Sequence, residues 1–156
     1  TGMHHSLVTA ETQILANIGT LGGSPTFAVV AASNVAQGAA ALAVMYLMKR
    51  NAKMKSLASA AGVSALLGIT EPAVFGVNLK FKYPFIGALI GSAVASAYCT
   101  FMQVLSVSPG PAGIPGVIVI RPESMIQYMV TLVIAFVIGF IATVILAKLF
   151  NKKQNV

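Results

Sequence analysis

Three carboxylates are the whole acidic inventory of this 156-residue chain, and one of them stands in "GITEPAVFGVNL", residues 68–79. Glu71 is flanked by Thr70 and Pro72, with Ala, Val, Phe and Leu beyond. A carboxylate at the centre of a membrane helix costs roughly 2.5–3.5 kcal/mol on insertion scales, and such residues are functional by default. The bland alternative is a headgroup-level carboxylate paired with a lysine such as Lys80. Neutral hydrogen-bonding side chains accompany Glu71 in the same stretch, Thr70 before it and Asn78 after it. Asn34 and Gln37 form a polar stripe with Ser33 in another apolar run, read as interhelical hydrogen bonding, as the wall of a polar cavity, or as both together. His4 and His5 are adjacent, so on a helix they do not share a face. Glu11 lies among Thr9, Thr12, Gln13 and Asn17, and Glu123 follows Arg121-Pro122 in a loop-like stretch. These spacings do not match H-E-x-x-H or any other metal-ligand pattern, so neither a metal nor a cofactor is expected.

Neutral donors and acceptors around one carboxylate suit a hydroxyl-rich neutral ligand better than an ion. A carboxylate accepts two hydroxyl hydrogen bonds at once, and leaving it unpaired in a buried site is costly. A sugar is the economical ligand.

The elements that must position these groups are membrane helices. The chain is 57% hydrophobic and 8% charged, without Trp, and its mean hydropathy is +0.87. A soluble domain is about 25% charged. Ten Lys/Arg against three acids give a net charge of +7, but the cations sit between apolar runs, where orientation in a bilayer explains them better than nucleic acid does. The single Cys, Cys99, lies within an apolar run and reads as a small buried residue.

A spanning helix needs about 20 mostly apolar residues. Three runs qualify: 27–48, 84–107 and 125–150. Lys49, Arg50, Lys53 and Lys55 follow the first, Lys80 and Lys82 precede the second, and Lys148, Lys152 and Lys153 close the third. By the positive-inside bias these sites are cytoplasmic and residues 108–124 form an external loop. Residues 53–79 are apolar yet begin and end on one side, so they read as a re-entrant hairpin that turns at Gly68–Pro72. Its first arm is a helix from about Ser56 to Leu67, stopped by Gly68, and its second a short extended arm after Pro72. Residues 1–25 form a second re-entrant segment, helix-like and then broken by "GTLGGSP". The fold class is therefore all-α membrane protein, three spans and two re-entrant segments. Two broken segments approaching from opposite faces are a transporter architecture.

"GITEPAVFGVNLKFKYPFIGALIGS" resembles the signature of the membrane component, enzyme IIC, of bacterial phosphotransferase-system sugar transporters in the glucose superfamily. "TGMHHS", "SNVAQGAAALAV" and "GPAGIPG" resemble the same family in the same order, and the likeness leans towards the sucrose, β-glucoside and trehalose group. It implies that residues 1–156 are the C-terminal part of a IIC transport domain in the cytoplasmic membrane of a bacterium. It also implies that a phosphocysteine on a cytoplasmic IIB domain phosphorylates a sugar hydroxyl, and that the full-length protein is a homodimer. The family motif places Glu71 and one of His4 and His5 against the sugar, with Glu71 also able to take the hydroxyl proton. Cys99, mid-span, is not the phosphocysteine. The rival reading is an ion-coupled secondary transporter in which Glu71 is the coupling carboxylate.

Overall fold

The computed structural model describes residues 9, 12–14, 16–17, 23–48 and 51–154, the last four of them by backbone alone. Thr26–Leu47 (α1), Tyr83–Phe101 (α5) and Met125–Gln154 (α6) are the long helices. Between α1 and α5 lie Ala52–Leu66 (α2), Glu71–Ala73 (α3), a π turn at Val74–Asn78 and Leu79–Phe81 (α4). Among the described residues three helices are long and apolar enough to cross a membrane, with mean hydropathies of 1.6, 1.5 and 2.9. The protein is an all-α membrane protein, as its composition requires.

The central helix is α1. Ala28, Ala31, Ala32, Ala36, Ala39, Ala40, Ala41 and Ala43 are fully buried, and these small side chains let α2, α5 and α6 close around it. Without a hydrophobic drive between helices in lipid, such close packing is what holds a bundle together. The α5–α6 seam follows the same rule. A Cβ on Gly91 would stand 2.7 Å from the Cα and N of Gly139, and one on Gly87 2.8 Å from the Thr143 nitrogen. Two glycines four residues apart therefore bring α5 against the backbone of α6. Cys99 is buried in α5 and is a free thiol.

Residues 52–81 form a helical hairpin whose two ends lie at the same end of α1. Asn51 caps α2, its side chain accepting the Met54 N–H at 3.0 Å, which is why the helix begins four residues before the expected Ser56. Near the other end Gly38 of α1 meets Gly62, 2.9 Å separating a built Cβ from the Gly62 oxygen. Gly68, at φ +104°, stops α2 as expected.

Two expectations are corrected. The arm after Pro72 is not extended: residues 71–81 run as α, π and α turns. Pro72 is the second residue of α3, where a missing N–H breaks no bond, so it opens a helix rather than preventing one. The second span ends at Phe101 rather than at 107, and Gln103 follows at φ +50°. Ser106 then pairs with both Ser24 and Ile120 in isolated bridges.

The loop at 108–124 is folded onto the protein. It contains 3-10 turns at Ile114–Val119 and Pro122–Ser124. The Tyr128 hydroxyl, buried, donates to the Gly113 oxygen at 2.6 Å. Arg121 and Glu123, at the loop's end, form a 3.8 Å pair with side chains 38% and 85% exposed, in keeping with a solvated Glu123.

Candidate functional site at the hairpin tip

The tip is built by backbone contacts. The Ile69 N–H donates to the Ser64 oxygen at 3.0 Å, and the Ser64 hydroxyl donates to the Ile69 oxygen at 3.0 Å, so the chain turns within five residues. Beyond the turn Thr70 precedes α3, its oxygen accepting the Val74 N–H at 2.9 Å. Glu71 is the first residue of α3 and is exposed, while Thr70 is half-buried. Opposite the tip stands the folded loop. A Cβ on Gly68 would fall 2.4 Å from the Ala112 oxygen, and one on Gly113 2.5 Å from the Leu66 oxygen. Only a glycine on each side permits that approach.

Asn34 secures the same junction from α1, its Nδ2 donating to the Ala112 oxygen at 2.9 Å. One turn further along α1, Gln37 meets Asn78. The Asn78 Nδ2 donates to the Gln37 side-chain oxygen at 2.7 Å and to the Gln37 backbone oxygen at 3.0 Å. Asn78 is fully buried and Gln37 is 8% exposed. The Asn78 Oδ1 has no hydrogen-bond partner. Asn78 closes the π turn, a feature that concentrates at functional sites. Of the three amides read from the sequence as candidate ligands, Asn34 and Asn78 therefore spend donors, and Gln37 accepts, in holding the hairpin and the loop to α1. Of the polar stripe, Gln37 makes the interhelical bond, to Asn78, while Asn34 bonds the loop; a role for either in the wall of a polar cavity is compatible with these bonds.

Glu71 does not pair with Lys80. The two are nine residues apart along the helical arm, about 13 Å at 1.5 Å per residue, and Lys80 Nζ instead lies 3.9 Å from the Met54 sulfur. Among the described residues Glu71 forms no ion pair with Lys80 or another lysine, the bland reading offered above. His4, His5 and Glu11 lie outside the described residues, so of the expected ligands the structure describes Thr70, Glu71, Asn34, Gln37 and Asn78. Among the described residues no three His, Cys, Asp or Glu side chains cluster to hold a metal.

What the motif reading missed is the loop. Ala112 and Gly113 meet the tip directly, and Tyr128 holds Gly113. The glycines of "GPAGIPG" were the available signal, since a loop glycine marks close backbone approach.

The comparisons with known proteins converge on one assignment. The family model described as "Phosphotransferase system, EIIC" matches residues 1–92. The chain belongs to the EIIC family. That match takes in the whole hairpin and the start of α5. A sucrose-specific EIIBC component of Staphylococcus xylosus is 57% identical over 124 residues, 80% of this chain and 26% of that protein. One from Vibrio alginolyticus is 51% identical over 146 residues, 94% of this chain and 30% of that protein. A trehalose-specific EIIBC component of Bacillus subtilis (strain 168) is 39% identical over 152 residues, 97% and 32% of the two chains. This EIIC chain thus spans a third or less of the length of these relatives. No solved structure gives a significant match.

Proposed function

We propose that this EIIC chain supplies the sugar-holding part of a phosphoenolpyruvate-dependent transporter, with sucrose as the substrate. The observation that carries the reading is the placement of Glu71 in an EIIC-family chain. It stands exposed at the first helical residue after a tip that is clamped from two sides by backbone contacts. Such a carboxylate is held in position yet open to a ligand, which is what binding energy spent on orientation requires. The names of the sucrose-specific relatives support the substrate.

In this reading Glu71 accepts hydrogen bonds from two sugar hydroxyls, Thr70 flanks it, and a histidine of the "MHHS" segment completes the site. Asn34, Gln37 and Asn78, first read as ligands, act by holding the tip. A phosphocysteine of a IIB domain then gives up its phosphoryl group. The attacking sugar hydroxyl oxygen forms the new O–P bond, the S–P bond breaks with departure of the thiolate, and the hydroxyl proton passes to Glu71. The chain itself is not phosphorylated.

The hairpin fits a re-entrant element. The 15 residues of α2 reach about 22 Å, short of the roughly 30 Å hydrocarbon core. Its tip meets α1 near Asn34, about 12 Å short of Thr26 along that helix. The lysines at the open end of the hairpin support a cytoplasmic side for that end and for the C-terminus. Movement of this unit as a body carries sugar inward in a family-type homodimer.

The test is sucrose binding and phosphorylation by the full-length parent with Glu71→Gln. Losing charge-assisted hydrogen bonds worth roughly 1.5–3 kcal/mol lowers affinity about 10- to 100-fold, with normal membrane insertion. Unchanged phosphorylation in that variant would remove Glu71 from the chemistry. Uptake that needs an ion gradient instead of phosphoenolpyruvate would overturn the reading altogether.

A further inference from the structure

At the end of the bundle opposite the hairpin tip is a cavity of about 520 Å³. Its walls are the last residues of α1 (Leu47, Met48), the corner between α4 and α5 (Lys80, Phe81, Tyr83) and the far end of α6 (Phe150). The size is that of a small-molecule site. Its aromatic side is continuous: ring centroids of Phe81 and Tyr83 are 6.1 Å apart, and those of Tyr83 and Phe150 6.2 Å.

One charged group lines the cavity, and among the described residues it has no anion. The Lys80 ammonium lies 3.9 Å from the Met54 sulfur and 6.0 Å from the Phe81 ring centroid. Neither contact neutralises it. Lys53, Lys55, Lys82 and Lys148 sit on the elements that meet at this end. The chain's three acids are Glu11, Glu71 and Glu123. Of the two described, Glu71 is an arm's length away at the tip and Glu123 precedes the opposite end of α6. The site therefore combines a positive field and an unpaired ammonium with apolar walls. Beside it α6 shows Ile145 and Leu149 at 52% and 58% exposure, an apolar surface leading away from the rim.

We propose that this cavity binds the phosphate-bearing headgroup of an anionic phospholipid, with Lys80 on the phosphate and the acyl chains running along α6. A basic pocket between membrane helices is the kind of site such headgroups occupy. A free phosphate would use the lysine but not the apolar walls, so the lipid is the ligand that uses both. The inference does not depend on the identity of the transported sugar.

The test is native mass spectrometry of the full-length parent after exchange into equal amounts of phosphatidylglycerol and phosphatidylcholine. The wild type retains phosphatidylglycerol selectively. Lys80→Gln lowers that retention about fivefold, the equivalent of roughly 1 kcal/mol for one lysine near an anionic surface, and Lys80→Arg restores it. Lys53→Gln, an exposed lysine outside the cavity that contributes only to the surrounding field, loses less retention than Lys80→Gln does. Phe150→Ala, which opens the apolar wall without changing charge, also weakens retention and serves if Lys80→Gln does not fold. Equal retention of the two lipids, or equal losses in Lys53→Gln and Lys80→Gln, would overturn the site. Release of the lipid by millimolar inorganic phosphate at fixed ionic strength would overturn the choice of a lipid ligand.

Discussion

Replacing Gly68 by alanine tests whether the tip is a backbone-to-backbone contact that holds Glu71 in place. Gly68 has φ +104° and its built Cβ lies 2.4 Å from the Ala112 oxygen, 3.1 Å from the Ala112 carbonyl carbon and 3.4 Å from its nitrogen. All three are backbone atoms, so no side chain can swing aside. A left-handed conformation costs an L-residue roughly 1–2 kcal/mol. Opening the contact to the 3.0 Å below which real Cβ atoms are essentially never found moves the loop by more than half an ångström. Overpacking of that kind costs about 1–3 kcal/mol. Asn34 is bonded to the same carbonyl, and loss of that bond adds about 0.6 kcal/mol. Gly68→Ala is thus expected to destabilise by roughly 2–5 kcal/mol, and because Glu71 is three residues on, to weaken the sucrose binding proposed above as well. The assay is thermal melting of the detergent-solubilised full-length parent, followed by sucrose titration. Gly76→Ala is the control, since its nearest neighbour would be the Leu57 Cδ2 at 4.0 Å and alanine there gains about 0.5–1 kcal/mol of helix propensity. A Gly68→Ala protein that melts and binds sucrose like the wild type would refute the reasoning.

Three further substitutions probe what surrounds the site. Gly91→Ala sets a Cβ 2.7 Å from the Cα and N of Gly139, so α5 and α6 separate at a cost of about 1–3 kcal/mol, read as a lower melting temperature. Asn78→Asp turns a carboxylate towards the two Gln37 oxygens now 2.7 and 3.0 Å from the amide nitrogen. With both bonds replaced by acceptor–acceptor contacts the loss exceeds about 2 kcal/mol, and the yield of folded protein falls further than for Asn78→Ser. Arg121→Ala breaks only the exposed pair with Glu123 and changes stability by less than about 0.5 kcal/mol. A shift of several degrees in its melting temperature would show that this pair supports the loop.

Hydropathy alone locates the long helices because a run of about 20 apolar residues has no other use in a bilayer. Thr26–Leu47 and Met125–Gln154 begin within a residue of the apolar runs that predict them. Gly68 is legible as a helix stop for a local reason, its freedom at positive φ. Where the reading failed, the deciding contact is distant in sequence. Nothing in "EPAVFGVNL" shows that residues 71–81 remain helical, because what holds that arm is Asn78 on Gln37, 41 residues away. Nothing in "GPAGIPG" shows that the loop meets Gly68, because the bond that marks the junction joins Asn34 to Ala112, 78 residues apart.

The same contacts explain why the polar residues divide as they do. A membrane interior punishes an unmatched polar group, so a polar side chain in an apolar run is either structural or functional, and type alone does not say which. Distance does. Asn34, Gln37 and Asn78 each reach a protein partner within 3.0 Å, whereas Glu71 stands exposed beyond the reach of Lys80, the cation the sequence offered as its partner. Among the described residues Glu71 has no ion pair, and in the reading proposed above it is the group left for a ligand, with the three amides holding the hairpin and the loop that position it.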